Sequence, residues 1–147
     1  MEVSNRQYKQ KGIAVINKIP TPTQVIRKGS KLTGAFYTEK STVDFIGIHD
    51  GKFIAFDAKE CSETRFPFSR LDIHQLEYLT SIKNQGGIGF IIILFKKENE
   101  MYRLDLDEYV RLANTLDRQS IPLTWFRENK RPITSSNGIA YNYLEAK

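Results

Sequence analysis

Ile88-Gly-Phe-Ile-Ile-Ile-Leu-Phe95 is apolar at every position except Gly89. A strand that carried polar residues on one face would alternate, so this run predicts a central strand covered on both sides, and hence a layered fold. It is also the longest apolar run of the chain and falls far short of the 18 or more residues that would span a bilayer. The flanking segments supply the layers. Ile73, Leu76, Leu79 and Ile82 recur every three residues behind Ser69-Arg-Leu-Asp72, which has capping-box spacing, and predict a helix ending at Gly86-Gly87. Met101 to Leu104 predicts an edge strand, after which Asp105 is placed to cap a helix bearing Leu106, Tyr109, Val110, Leu112 and Ala113. Ser120-Ile-Pro122 is expected to start a last short helix through Trp125, and Ile139 to Leu144 to close the domain. Towards the N-terminus, residues 3 to 11 are helix-compatible, Ile13 to Ile19 and Thr23 to Lys28 read as extended, and residues 29 to 40 read as a protruding loop or ribbon. This order predicts an α/β fold, a mixed central β-sheet flanked by helices. The 147 residues fit one domain, spanning 1–147, which at this size buries roughly 68–70% of its unfolded surface without a metal or disulfide staple.

The two runs Ser41–His49 and Lys52–Lys59 alternate and meet at Asp50-Gly51. An Asp-Gly pair in that setting predicts a two-residue hairpin turn, since both turn residues must take positive φ. The turn fixes the register: Asp44 faces Asp57 and Thr42 faces Lys59, with all four side chains on one sheet face. Opposed carboxylates about 4.5–5.5 Å apart at Cβ are destabilising, so the arrangement calls for a reason. A hard divalent cation such as Mg²⁺ is the simplest, because it takes oxygen ligands and needs only one or two protein carboxylates beside water and substrate phosphate. Such an ion orients a phosphodiester and makes a water acidic enough to attack phosphorus. Lys59, two residues beyond Asp57, is placed to assist that water or to stabilise the pentacovalent phosphate. On geometry alone this catalytic reading stands level with an exposed sheet face of solvated charges containing one Lys-Asp pair.

Charge gives a second indication. The chain carries 22 Lys and Arg against 17 Asp and Glu, a net +5. In the first 40 residues Arg6, Lys9, Lys11, Lys18, Arg27, Lys28, Lys31 and Lys40 oppose only Glu2 and Glu39, so the positive excess lies there. This suits a polyanion such as nucleic acid, or equally a solvated basic face. Cys61 is the sole cysteine, which excludes an internal disulfide and fits a reducing compartment. With no signal-peptide pattern behind Met1, the expected location is the cytoplasm.

Asp44 followed by Asp57-Ala-Lys59 resembles the PD-(D/E)xK nuclease motif. Its surroundings carry the resemblance further. Ile13-Ala-Val-Ile-Asn-Lys18 before Pro20-Thr-Pro22, Ser41-Thr-Val-Asp-Phe-Ile-Gly47, Phe56-Asp-Ala-Lys-Glu60, Phe66-Pro67 and His74-Gln75 resemble, in order, the RecU family of Holliday junction resolvases. The similarity runs from about Asn5 to Leu106 and more loosely through residues 120 to 126. It implies a restriction-endonuclease-like core with a protruding stalk, here about residues 28 to 40, and a homodimer that makes paired nicks in four-way DNA junctions. It implies a metal site of Thr42, Asp44, Asp57 and Gln75, taking Mg²⁺ with Mn²⁺ as a substitute, and Lys59 as transition-state stabiliser. Two positions depart from the family pattern. Asp57 stands where Glu is usual, drawing the carboxylate back by about a methylene, and the acidic residue of a longer first helix has only Glu2 as a match.

In the stalk, Lys28, Lys31 and Lys40 would neutralise phosphates. Phe36 and Tyr37 would stack on unpaired bases or pack against the second copy. Cys61 and His49 are expected to be structural and surface residues; His74 is expected to cap or pack its helix, and Arg127 to Arg131 to form a solvated helix end. Two other functions remain open at this point: a duplex-cleaving or exonucleolytic relative of the same superfamily, and a non-catalytic accessory that binds branched DNA.

Overall fold

The computed structural model describes residues 1–20, 24–28, 31–36, 42–115 and 117–146; for 24–28 and 31–36 only the backbone is described. Helix α1 (Glu2–Gln10) leads into β1 (Ala14–Lys18), β2 (Gln24–Lys28), β3 (Lys31–Phe36), β4 (Phe45–His49), β5 (Lys52–Cys61) and β6 (Arg65–Pro67). A 3₁₀ turn (Phe68–Arg70), α2 (Ile73–Asn84), β7 (Ile88–Phe95), β8 (Glu100–Asp105), α3 (Leu106–Thr115), β9 (Ser120–Pro122) and α4 (Leu123–Asn129) follow. Five strands form the central sheet in the order β1-β4-β5-β7-β8. It is mixed: β5 and β7 run parallel, joined by the α2 crossover, and the other neighbours are antiparallel.

The Asp50-Gly51 turn is as the sequence requires, with φ of 52° and 75°. The ladder from His49↔Lys52 to Phe45↔Phe56 has the register that this turn dictates. The eight-residue apolar run is β7, and its alternation feeds two cores. Ile91, Ile93 and Phe95 join Ala55, Leu79, Tyr109 and Phe126 on one face, while Phe90 and Ile92 join Phe45, Phe56, Tyr8 and Tyr143 on the other. Phe56 is stacked between Phe45 and Phe90 at centroid distances of 4.9 and 4.7 Å. Burying each such ring is worth about 1.5–3 kcal/mol, so this stack anchors the hairpin to the parallel pair. The second face is closed by both ends of the chain, where Tyr8 donates to Asn142 Oδ1 at 2.8 Å and meets Tyr143 edge-on.

Several local expectations are corrected. β4 begins at Phe45 rather than Ser41, because Val43 is fully buried in the Ala55 core and breaks the alternation that Phe45 would continue. The capping box is formed by Asp72 and Gln75, with Ser69 inside the 3₁₀ turn. Ser120–Pro122 is a short strand paired with Arg65–Pro67, so the helix starts at Leu123. The Asp105 carboxylate goes to Arg103 at 2.9 Å; the α3 start is held instead by Glu108, which accepts from the Asp105 N–H at 3.1 Å. Lys130 is not solvated: it is nearly buried and paired with Glu108 at 2.6 Å. The basic segment is an antiparallel ribbon that begins earlier than expected, at Gln24, with β2 pairing β3 and a register shift at Ile26/Arg27. Among the described residues the ribbon has no ladder to the central sheet. Residues 29, 30 and 37–41 lie outside the described residues, and with them Tyr37 and Lys40.

Candidate active site

One step past Phe45↔Phe56, the hairpin register brings Asp44 opposite Asp57. The ladder does not continue there. Instead the two aspartates exchange side chain for backbone: the Asp44 N–H donates to Asp57 Oδ1 at 3.0 Å, and the Ala58 N–H donates to Asp44 Oδ2 at 2.9 Å. Backbone donors aimed at carboxylates form charge-assisted hydrogen bonds, about twice as strong as neutral ones, and offset part of the repulsion between the two groups. Asp44 is also tied to the end of β1, its carbonyl accepting from the Ile19 N–H at 2.7 Å. Its position is therefore held from two strands.

Lys59 follows on the same face, with Nζ 2.6 Å from Asp57 Oδ2. The ammonium also donates to Gln75 Oε1 at 3.1 Å. That oxygen accepts from the Asp72 N–H at 3.1 Å as half of the α2 capping box, whose other half is the bond of the Asp72 side chain to the first turn of the helix. The box that starts α2 thus also delivers Gln75 to the sheet. Asp72 is a link that the sequence reading missed, although the Asp72-x-x-Gln75 spacing was there to be read. Thr42 is exposed, two residues before Asp44.

The Asp57 side chain is 1% exposed. Burial pushes its carboxyl up to about 6, the charge of Asp44 adds to the rise, and Lys59 opposes it. A folded value above the ordinary 3.8 means that the folded state holds more protons between the two values. Its contribution to stability is then complete below pH ~4 and lost as pH rises through about 6. Urea unfolding of the metal-free parent and Asp57→Asn across pH 4–8 should show this. The balance should swing towards the variant by on the order of 2 kcal/mol as pH rises through that window. A difference that is flat in pH would refute the raised carboxyl.

The donors assembled here are two carboxylates and one amide oxygen, with the Thr42 hydroxyl nearby in sequence. Among the described residues no group of three or more His, Cys, Asp or Glu is placed to hold a metal ion together. An oxygen-only set with few protein ligands suits Mg²⁺ or Mn²⁺ rather than a Cys/His-bound metal. Lys59 already places a cation in contact with both Asp57 Oδ2 and Gln75 Oε1, which shows that the space between them accepts positive charge.

Other singled-out residues lie apart from this cluster. His49 Nδ1 bonds the Ile13 carbonyl at 3.0 Å, and Cys61 is buried with its thiol pushed up by that burial. Glu60 is turned outward to Lys96, and Glu2 pairs with Lys18 at 3.9 Å. Arg127 bonds Glu100 at the surface. Lys28, Lys31 and Phe36 belong to the ribbon.

The family described as RecU, Recombination protein U, matches residues 1–147. The Holliday junction resolvase RecU of Leuconostoc mesenteroides subsp. mesenteroides is 34% identical over 154 residues, covering 99% of this chain and 76% of that protein. The protein of the same name from Geobacillus kaustophilus is 36% identical over 132 residues, covering 83% of this chain and 66% of its own. Among solved structures, the Holliday junction resolvase Hjc of Archaeoglobus fulgidus aligns with a TM-score of 0.42 at 9% identity, over 72% of this chain and 71% of that one. With a match along its entire length and relatives a third identical across nearly all of it, the chain belongs to the RecU family.

Proposed function

We propose that this chain is a Mg²⁺-dependent endonuclease that resolves four-way DNA junctions by paired nicks, Mn²⁺ being able to replace Mg²⁺. The observation that carries the reading is the Asp57 carboxylate, buried against Asp44 and in contact with Lys59, in a chain whose relatives bear the name Holliday junction resolvase. Thr42, Asp44, Asp57 and Gln75 would hold the ion. When bound, the ion supplies positive charge to the phosphodiester and raises the acidity of the attacking water. The backbone N–H groups of Asp44 and Ala58 keep the carboxylates aimed. Lys59 gives up Asp57 and Gln75 to neutralise charge as it develops on phosphorus, an interaction stronger in the transition state than in the ground state.

Symmetrical resolution needs two equivalent sites on opposed strands, and a two-fold homodimer in the cytoplasm supplies them. Lys28 and Lys31 in the ribbon, and Lys40 further along the sequence, neutralise junction phosphates, while Phe36 and Tyr37 stack on bases opened at the crossover. The test is incubation of the protein with end-labelled four-way junction and with linear duplex, with and without Mg²⁺. Paired nicks in the junction only when Mg²⁺ is present are expected. Equal cutting of the duplex would favour a general nuclease, and binding without cutting would favour an accessory role.

A further inference from the structure

β5 carries Asp57, Lys59 and Cys61 at alternate positions, hence on one face, and ends beside a pocket of about 160 Å³. That is room for about five water-sized volumes. Cys61, Ser62, Glu63, Arg65 and Arg70 line it. Arg65 is paired with Glu63 at 2.8 Å, so those two charges cancel. Arg70 remains as the pocket's excess cation. It stands at the end of the 3₁₀ turn, two residues before the Asp72 whose N–H shares the Gln75 oxygen with Lys59. Its Nη1 donates to the Glu60 carbonyl at 2.9 Å, which fixes the guanidinium across the end of β5. That bond uses one of five donors in a planar fork suited to phosphate.

The geometry points to this pocket as the seat of a second phosphate of the cleaved DNA strand, held by Arg70, one or two nucleotides from the bond that is cut. Cys61 lies two residues beyond Lys59, about 6.6 Å along a strand that rises 3.3 Å per residue. Phosphates of one DNA strand are spaced 3.4 Å along the duplex axis, so a strand that runs along β5 with its scissile phosphate at Lys59 carries a neighbouring phosphate over the pocket. Ser62, at the rim, offers a hydroxyl to the same group. The seat rests on the nuclease reading above and adds to it a register: it sets which way the strand runs across the catalytic face.

The test measures junction binding in EDTA across 50–200 mM salt, and cleavage in Mg²⁺, for the parent, Arg70→Gln and Glu63→Gln. Losing one phosphate contact should lower the salt slope by about 0.9 and weaken binding by about eightfold at 0.1 M salt, with kcat unchanged and KM raised. Glu63→Gln uncovers Arg65 and should shift both quantities the other way. A junction with one methylphosphonate within two nucleotides of the cut should bind the parent more weakly but cost Arg70→Gln nothing further. Equal slopes in all three proteins, or the same methylphosphonate penalty in the parent and Arg70→Gln, would overturn the seat while leaving the nuclease reading intact. A parent that neither binds nor cuts junctions would overturn both.

Discussion

Changing Asp44 or Asp57 to Asn is expected to lower junction cleavage by at least about a hundredfold, the scale of removing one preorganised electrostatic group. Binding in EDTA should hold at the parent level or tighten. In Asp57→Asn the amide oxygen can still accept from the Asp44 N–H, and in Asp44→Asn it can still accept from the Ala58 N–H, so these backbone bonds survive while one negative charge is lost, and with it in Asp57→Asn the Lys59 contact. Loss of that charge removes attraction for the proposed cation and repulsion towards DNA together, which sends cleavage and affinity in opposite directions. Lys59→Ala should behave differently. Its two contacts, with Asp57 and Gln75, lie inside the site, so turnover should fall more than affinity. Single-turnover cleavage beside filter or gel-shift binding separates the two. Cleavage by both Asn variants at the parent rate would refute the metal site.

Part of this site could be read from the sequence because part of it is local. Asp50-Gly51 admits essentially one turn type, the turn fixes the register, and the register brings Asp44 to Asp57 without knowledge of any other element. The same rule fails one residue earlier. Val43 turns into the Ala55 core, and Asp44 is held by the Ile19 N–H and the Ala58 N–H, partners that no alternation pattern can announce. The start of α2 shows a second limit. Ser69-Arg-Leu-Asp72 and Asp72-Ile-His-Gln75 both satisfy the capping spacing, and what decides between them is the 3₁₀ turn at Phe68–Arg70, set by the pairing of Arg65–Pro67 with Ser120–Pro122 more than fifty residues away. Arg103 was hidden for a related reason. Its guanidinium lies 4.0 Å over the Phe90 ring and donates to the Tyr143 carbonyl, so a charge expected at an edge is buried by the returning C-terminal segment.

Gly47→Ala should be among the most damaging single substitutions although it adds one methyl group far from any reacting atom. Gly47 sits in the middle of β4, paired with Ile16 on β1 and Ile54 on β5. A Cβ there would run into the Val15 carbonyl oxygen and come within 2.8 Å of the Ile16 Cα. Both are backbone atoms of a paired strand, so no rotamer change relieves the clash. The strands must separate, and the β1–β4 ladder is lost or shifted. Overpacking of this kind costs about 3 kcal/mol or more, which for a chain of this length lowers Tm by roughly 6–12 °C. The loss reaches the site through one bond. Asp44 is held to β1 by the Ile19 N–H, and moving β1 off β4 releases the carboxylate that faces Asp57. Cleavage should therefore fall even at temperatures where the variant remains folded. Ile48→Ala provides the control: it is the next residue of the same strand, with a side chain 49% exposed, and should shift Tm by no more than about 2 °C. Thermal melts of the two variants beside the parent decide the matter. A Gly47→Ala protein that melts with the parent would mean that β1 and β4 do not pack as closely as Val15 and Gly47 require.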